Sequence, residues 1–177
     1  NSSGINDGAA AVVLSAVPDE DPRGIIDVTI HADGRFSDAL QLAYPSSAEM
    51  PRLTVEKIQE GAHYPQMNGK LVFKNAVTRM PEALMTLLAR HELKTSDIDL
   101  LIPHQANLRI AEMVQKRLEL SSDQVFNNIM HYGNTTAASI PLALDEAIAA
   151  DKIQPGGLLA FAAFGAGFTW GAALVRL

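Results

Sequence analysis

Between residues 98 and 164 the chain alternates between short apolar runs and helical apolar spacing. That alternation restricts the fold more than any other feature. Ile98–Ile102 reads IDLLI and stops at Pro103, and Leu158–Phe164 reads LLAFAAF after Gly156-Gly157. Short runs with almost no polar face predict strands covered on both sides. Between them, Ile110, Met113, Val114 and Leu118 recur at helical spacing, which predicts a helix over about 106–118. A further helix over about 137–149 carries Ile140, Leu144, Ala147 and Ile148, with Pro141 in its first turn or marking a bend. Strands joined by helical crossovers lie parallel in one sheet.

The rest of the chain extends this pattern. Gly165-Ala166-Gly167 turns the backbone so that Phe168–Leu177 returns as an antiparallel hairpin partner. From Leu71, the residues Phe73, Val77, Met80, Leu84 and Leu87/Leu88 predict another helix, which Pro81 should kink or split. Thr95-Ser96-Asp97 closes the connection that follows, and Val125-Phe126 reads as a brief extended segment. Ala9–Val17 (AAAVVLSAV) predicts a buried strand, and Ile25–Ile30 a second strand that ends at the Asp33-Gly34 turn. Asp19-Glu20-Asp21-Pro22 reads as a solvated turn. Residues 34–69 hold Pro45, Pro51 and Pro65 and lack periodicity, as lids and binding loops often do. The expected fold class is α/β, one domain with a five-stranded mixed sheet and helices packed on its faces.

Composition narrows the chemistry. The 177 residues are 47% hydrophobic and 19% charged, which suits a globular domain. There is no cysteine, so a disulfide scaffold, a thiolate zinc site and a cysteine nucleophile on this chain are all excluded. A formal net charge of −6 argues against nucleic acid as a partner. No apolar run reaches the roughly 18 residues of a membrane span, which argues against a membrane partner. Asn1-Ser2-Ser3-Gly4 lacks the features of a signal peptide and reads as a cloning remnant or a cut end.

Three polar features interrupt the apolar pattern. His104 follows a strand and precedes a helix, the place where open α/β sheets collect ligands. A helix N-terminus there favours a neutral imidazole, able to donate to or accept from a reacting oxygen. His131-Tyr132-Gly133-Asn134-Thr135-Thr136 also precedes a helix. The turn at Phe164–Gly171 is rich in small residues that let backbone amides approach a ligand. Local sequence leaves plainer readings open: a strand-end histidine, an N-cap and an ordinary hairpin turn. Zinc ligation by His104 and His131 has no supporting ligand spacing.

Taken together, HQAN at 104–107, YGNTTAAS at 132–139 and FGAGFTWGAALVRL at 164–177 are more specific than any one of them. With DGAAA at 7–11, they resemble the C-terminal half of the β-ketoacyl-acyl-carrier-protein synthase III family over residues 5–177. The resemblance implies a thiolase-like half-fold. It implies decarboxylative Claisen condensation of an acyl-CoA with malonyl-ACP to 3-oxoacyl-ACP, CoA and CO₂, the step that initiates fatty-acid biosynthesis. It further implies a cytoplasmic homodimer with no cofactor, whose partners are acyl carrier protein, with its phosphopantetheine arm, and CoA thioesters.

The implied catalytic residues are His104 and Asn134, with the Ala166 amide in an oxyanion hole where the family usually has glycine. Phe164 would line the active site, and Met67, Gly69, Phe73, Ala106 and Asn107 would border the CoA/pantetheine tunnel. Arg109 would meet the carrier protein, and Lys116 and Arg117 would widen its basic patch. The family's nucleophilic cysteine lies in an N-terminal half. The chain alone is therefore expected to be inactive and to associate with that half or with another copy. Two other readings stand beside this one. The chain is then a domain of a related polyketide- or quinolone-type condensing enzyme, or a non-catalytic dimerisation or binding module.

Overall fold

A computed structural model describes residues 5–18 and 20–177 of the chain. The first strand, β1, is Gly24–Ala32, and a 3-10 helix follows at Gly34–Ala39. The short strands β2 (Leu40–Gln41) and β3 (Gln66–Met67) pair antiparallel around a loop that holds helix α1 (Val55–Gln59). Helix α2 is Gly69–Arg90, strand β4 is Leu100–Pro103 and helix α3 is Leu108–Arg117. The short helix α4 (Ile129–Tyr132) leads to α5 (Ser139–Ala149), and β5 (Leu158–Gly165) and β6 (Thr169–Arg176) complete the chain.

The main sheet has the order β1-β6-β5-β4, with β4 parallel to β5 and the other two pairs antiparallel. The predicted crossover and terminal hairpin are therefore both present. Alternation along β5 divides the core into two layers. Leu158, Ala160, Ala162 and Phe164 face one cluster, which holds Met80, Leu84 and Leu87 of α2 and Ile110 and Val114 of α3. Leu159 faces the other, with Leu100 and Ile102 of β4 and Ala143 and Ala147 of α5. The sheet thus lies between α2 and α3 on one side and α5 on the other.

Four expectations are corrected. Ala9–Val17 forms no strand; it is extended coil, and Val13 is 91% exposed. An apolar run without a polar face needs cover on both sides, and no sheet among the described residues supplies it. The main sheet accordingly has four strands rather than five, with a separate two-stranded sheet at β2 and β3. Pro81 lies inside α2 without splitting it, buried beside Met80, where packing against the sheet offsets the lost backbone hydrogen bond. Residues 34–69 are less irregular than expected, being tied down by β2, β3, α1 and the 3-10 turn. Asn1–Gly4 and Asp19 lie outside the described residues, while Asp21 in the predicted turn forms an ion pair with Arg23 at 2.5 Å.

Candidate active site

Pro103 ends β4, yet the parallel pairing continues for one more bond, with the His104 N–H donating to the Ala162 carbonyl at 2.8 Å. This fixes the histidine at the carboxyl end of the strand. Its side chain then meets the start of α5, where His104 Nδ1 and Ser139 Oγ are 2.7 Å apart. The Gln105 N–H donates to the same Oγ at 3.2 Å. Burial pushes the His104 imidazole below its ordinary pKa, so the ring is neutral at neutral pH. The cause of the shift is desolvation by burial.

Gln105 is 2% exposed and fully engaged. Its Nε2 donates to the Pro103 carbonyl at 2.6 Å, and its Oε1 accepts from the backbone N–H groups of Asn128 and Ile129 at 3.1 and 3.2 Å. It thereby joins the end of β4 to the start of α4.

Asn134 sits two residues beyond α4, after Gly133 turns the chain with a φ of 70°. The Thr136 N–H donates to Asn134 Oδ1 at 2.9 Å, so the side-chain NH₂ is the end left to meet a ligand. The N-terminal residues brace this loop. The Asn6 N–H donates to the Asn134 carbonyl at 2.8 Å. Gly8 lies so close to Thr135 that an added Cβ would stand 2.7 Å from the threonine Cβ.

The turn between β5 and β6 contributes Ala166, whose carbonyl accepts from the Thr169 hydroxyl at 2.9 Å. The left-handed conformation falls on Gly167, with a φ of 132°, and not on Ala166. Alanine therefore fits where the resembling family usually has glycine.

These elements surround a cavity of about 960 Å³. His104, Asn134, Phe164 and Ala166 all line it, together with Ser139, Trp170 and residues 28–32 of β1. Four of the expected site residues are thus brought together. Met67, Gly69, Phe73, Ala106 and Asn107 are not on its wall. Met67 adjoins Gly69 at the start of α2, Phe73 packs at the core edge, and Asn107 Oδ1 caps α3 by accepting from the Arg109 N–H at 3.0 Å. Arg109, Lys116 and Arg117 are exposed on α3, and Arg117 donates to Thr78 Oγ1 at 3.1 Å. Among the described residues no group of three or more His, Cys, Asp or Glu is placed to hold a metal ion. No described helix is long and apolar enough to cross a membrane.

Sequence reasoning did not single out Ser139 or Gln105. The signal was present, since both stand inside the motifs around His104 and Asn134. Their partners, however, lie 35 and more than 20 residues away.

The sequence profile of the family described as 3-oxoacyl-(acyl-carrier-protein, ACP) synthase III C terminal matches residues 88–177. The β-ketoacyl-(acyl-carrier-protein) synthase III of Psychromonas ingrahamii is 45% identical over 171 residues, covering 97% of this chain and 50% of that protein. The enzyme of that name from Desulfotalea psychrophila is 46% identical over 170 residues, covering 96% and 51%. The crystal structure of 3-oxoacyl-(acyl-carrier-protein) synthase III from Aquifex aeolicus superposes with a TM-score of 0.77 at 36% identity, covering 90% of this chain and 46% of that one. The chain spans about half the length of the curated relatives it matches. A mixed sheet layered between helices, with His104, Asn134, Phe164 and Ala166 on the wall of one cavity, and a profile match over residues 88–177 lead to one assignment: the chain belongs to the 3-oxoacyl-ACP synthase III C-terminal family.

Proposed function

We propose that this chain supplies the decarboxylating side of the active site in a β-ketoacyl-ACP synthase III. The whole enzyme would condense an acyl starter from acyl-CoA with malonyl-ACP. One observation carries the reading: His104 and Asn134 reach the same cavity from separate elements, and burial keeps the imidazole neutral. Two neutral N–H donors suit an oxygen that gains negative charge during reaction.

In this mechanism the malonyl thioester loses CO₂, and the electron pair of the broken C–C bond passes into an enolate. Its charge rests on the thioester oxygen, where an imidazole N–H of His104 and the Asn134 NH₂ donate. The enolate carbon then attacks an acyl thioester on a cysteine of the N-terminal half. The resulting tetrahedral oxyanion is met by the Ala166 amide, collapse expels the thiolate, and 3-oxoacyl-ACP leaves. CoA departs earlier, when the cysteine takes the acyl group. Phe164 keeps one wall apolar and helps to exclude water from the enolate.

Met67, Gly69, Phe73, Ala106 and Asn107 are assigned to the pantetheine path. Exposed Arg109, Lys116 and Arg117 are assigned to the acidic carrier protein, with a salt-sensitive attraction. The enzyme is proposed to work as a cytoplasmic homodimer without a cofactor. The test uses the protein with both halves present. His104→Ala should lower malonyl decarboxylation by about a hundredfold or more, while acyl transfer from radiolabelled acetyl-CoA to the cysteine stays measurable. Equal loss of both steps would refute the assigned role.

A further inference from the structure

His104 has two neutral tautomers, and only one of them presents an N–H at Nε2. We propose that Ser139 selects that tautomer, and so acts as a positioning residue for the donor that meets the enolate oxygen. The inference rests on the reaction proposed above.

Ser139 is 2% exposed at the first turn of α5. Among the described residues its Oγ has two hydrogen-bond partners, the Gln105 N–H and His104 Nδ1. The Gln105 N–H can only donate, so it occupies one lone pair of the hydroxyl. The 2.7 Å contact to Nδ1 then has two possible directions. If Nδ1 carried the hydrogen, Oγ would accept twice and its own O–H would be left buried without an acceptor, which is costly. If the serine O–H donates to Nδ1, every group is satisfied. The ring hydrogen must then lie on Nε2, the nitrogen left for the cavity that His104 lines.

The same arrangement opposes an imidazolium, because a protonated Nδ1 would again displace the serine hydrogen. The backbone makes the choice rigid. The Gln105 N–H belongs to the segment that leaves β4, and Ser139 opens α5, so the hydroxyl bridges two fixed elements rather than two mobile side chains. Ser139 touches no reacting atom in this scheme; it acts through His104.

The experiment uses the protein with both halves, labelled with ¹⁵N-histidine. Long-range ¹H–¹⁵N correlation spectra, assigned with His104→Ala, report which ring nitrogen carries the hydrogen. The wild-type should show His104 as the Nε2–H tautomer. Ser139→Ala should give a mixture, and should lower kcat for condensation about two- to tenfold, the value of one hydrogen bond. The KM for malonyl-ACP and the rate of acyl transfer to the cysteine should stay unchanged. Ser139→Thr keeps the hydroxyl and should restore the wild-type spectrum.

An Nδ1–H tautomer in the wild-type, or an unaltered His104 spectrum in Ser139→Ala, would overturn the inference. A changed spectrum with unchanged kcat would uphold the tautomer assignment and refute the donor role given to His104. The two failures are therefore distinguishable.

Discussion

Replacing Gln105 by leucine tests whether the site is held by hydrogen bonds or by packing. Leucine has a similar volume and suits burial, so a purely packed site would tolerate it. The hydrogen bonds predict otherwise. Gln105 Oε1 accepts from the N–H groups of Asn128 and Ile129, and its Nε2 donates to the Pro103 carbonyl. Asn128 is 3% exposed and Pro103 is buried, so those two groups lose their partners without gaining water. Ile129 is only half-buried and can be rehydrated. Two orphaned buried groups at about 1–3 kcal/mol each give a destabilisation of about 2–5 kcal/mol after a small apolar gain. Urea unfolding of wild-type and Gln105→Leu measures the total. Hydrogen exchange over residues 127–133 localises it, because α4 loses the acceptor for its first amides. A Gln105→Leu protein within about 0.5 kcal/mol of wild-type, with unchanged exchange over that segment, would refute the reasoning.

Stability should also depend on pH through His104. Its folded pKa lies below the ordinary value of 6.5, so the unfolded chain takes up the proton first as pH falls. The stability contributed by the neutral ring is full above that value and is lost as pH drops through it toward the folded pKa. Unfolding free energies from about pH 8 to 5 should show that slope, flattened in His104→Asn; an identical slope in both would contradict it. Gly171→Ala should destabilise by about 1–3 kcal/mol, because the added Cβ would stand 2.6 Å from the Thr29 carbonyl oxygen in the neighbouring strand. A thermal melt within a degree or so of wild-type would argue against that clash. The chain alone, lacking cysteine, should form no stable covalent adduct with radiolabelled acetyl-CoA; retained label after denaturation would contradict the proposed division of labour.

The sequence made the centre of the fold legible and its margins much less so. Leu100–Pro103 is buried throughout and Leu158–Gly165 has one buried face and one half-buried face, so their apolar runs carry most of the signal. The β5–β6 turn was equally plain, because Gly167 marks the left-handed position. Ala9–Val17 misled because an apolar run states a need for cover without saying whether the same chain provides it. Pro81 misled because local helix chemistry says nothing of the sheet packed against α2. At the site, His104 and Asn134 were visible as polar breaks in an apolar pattern. Ser139 was not, since a serine at a helix start reads as an ordinary cap until α5 is laid against the end of β4. Contacts across 35 residues have no local signature.

The order β1-β6-β5-β4 leaves β1 at one margin of the main sheet, and it is a strand of nine residues. Ile25, Val28 and Ile30 on it are 55%, 49% and 83% exposed, and the coil at Val12–Leu14 adds a second apolar surface. Long apolar margins of this kind template intermolecular strand addition, and natural sheets blunt them with charge, proline or a covering element. Here Asp27 is the only acidic side chain along β1, and it is already engaged with Arg90 and His91. For anyone expressing the chain by itself, yield is then a matter of colloidal stability: the concentration tolerated before precipitation should rise when Ile30 is replaced by lysine, with the four-stranded sheet left intact.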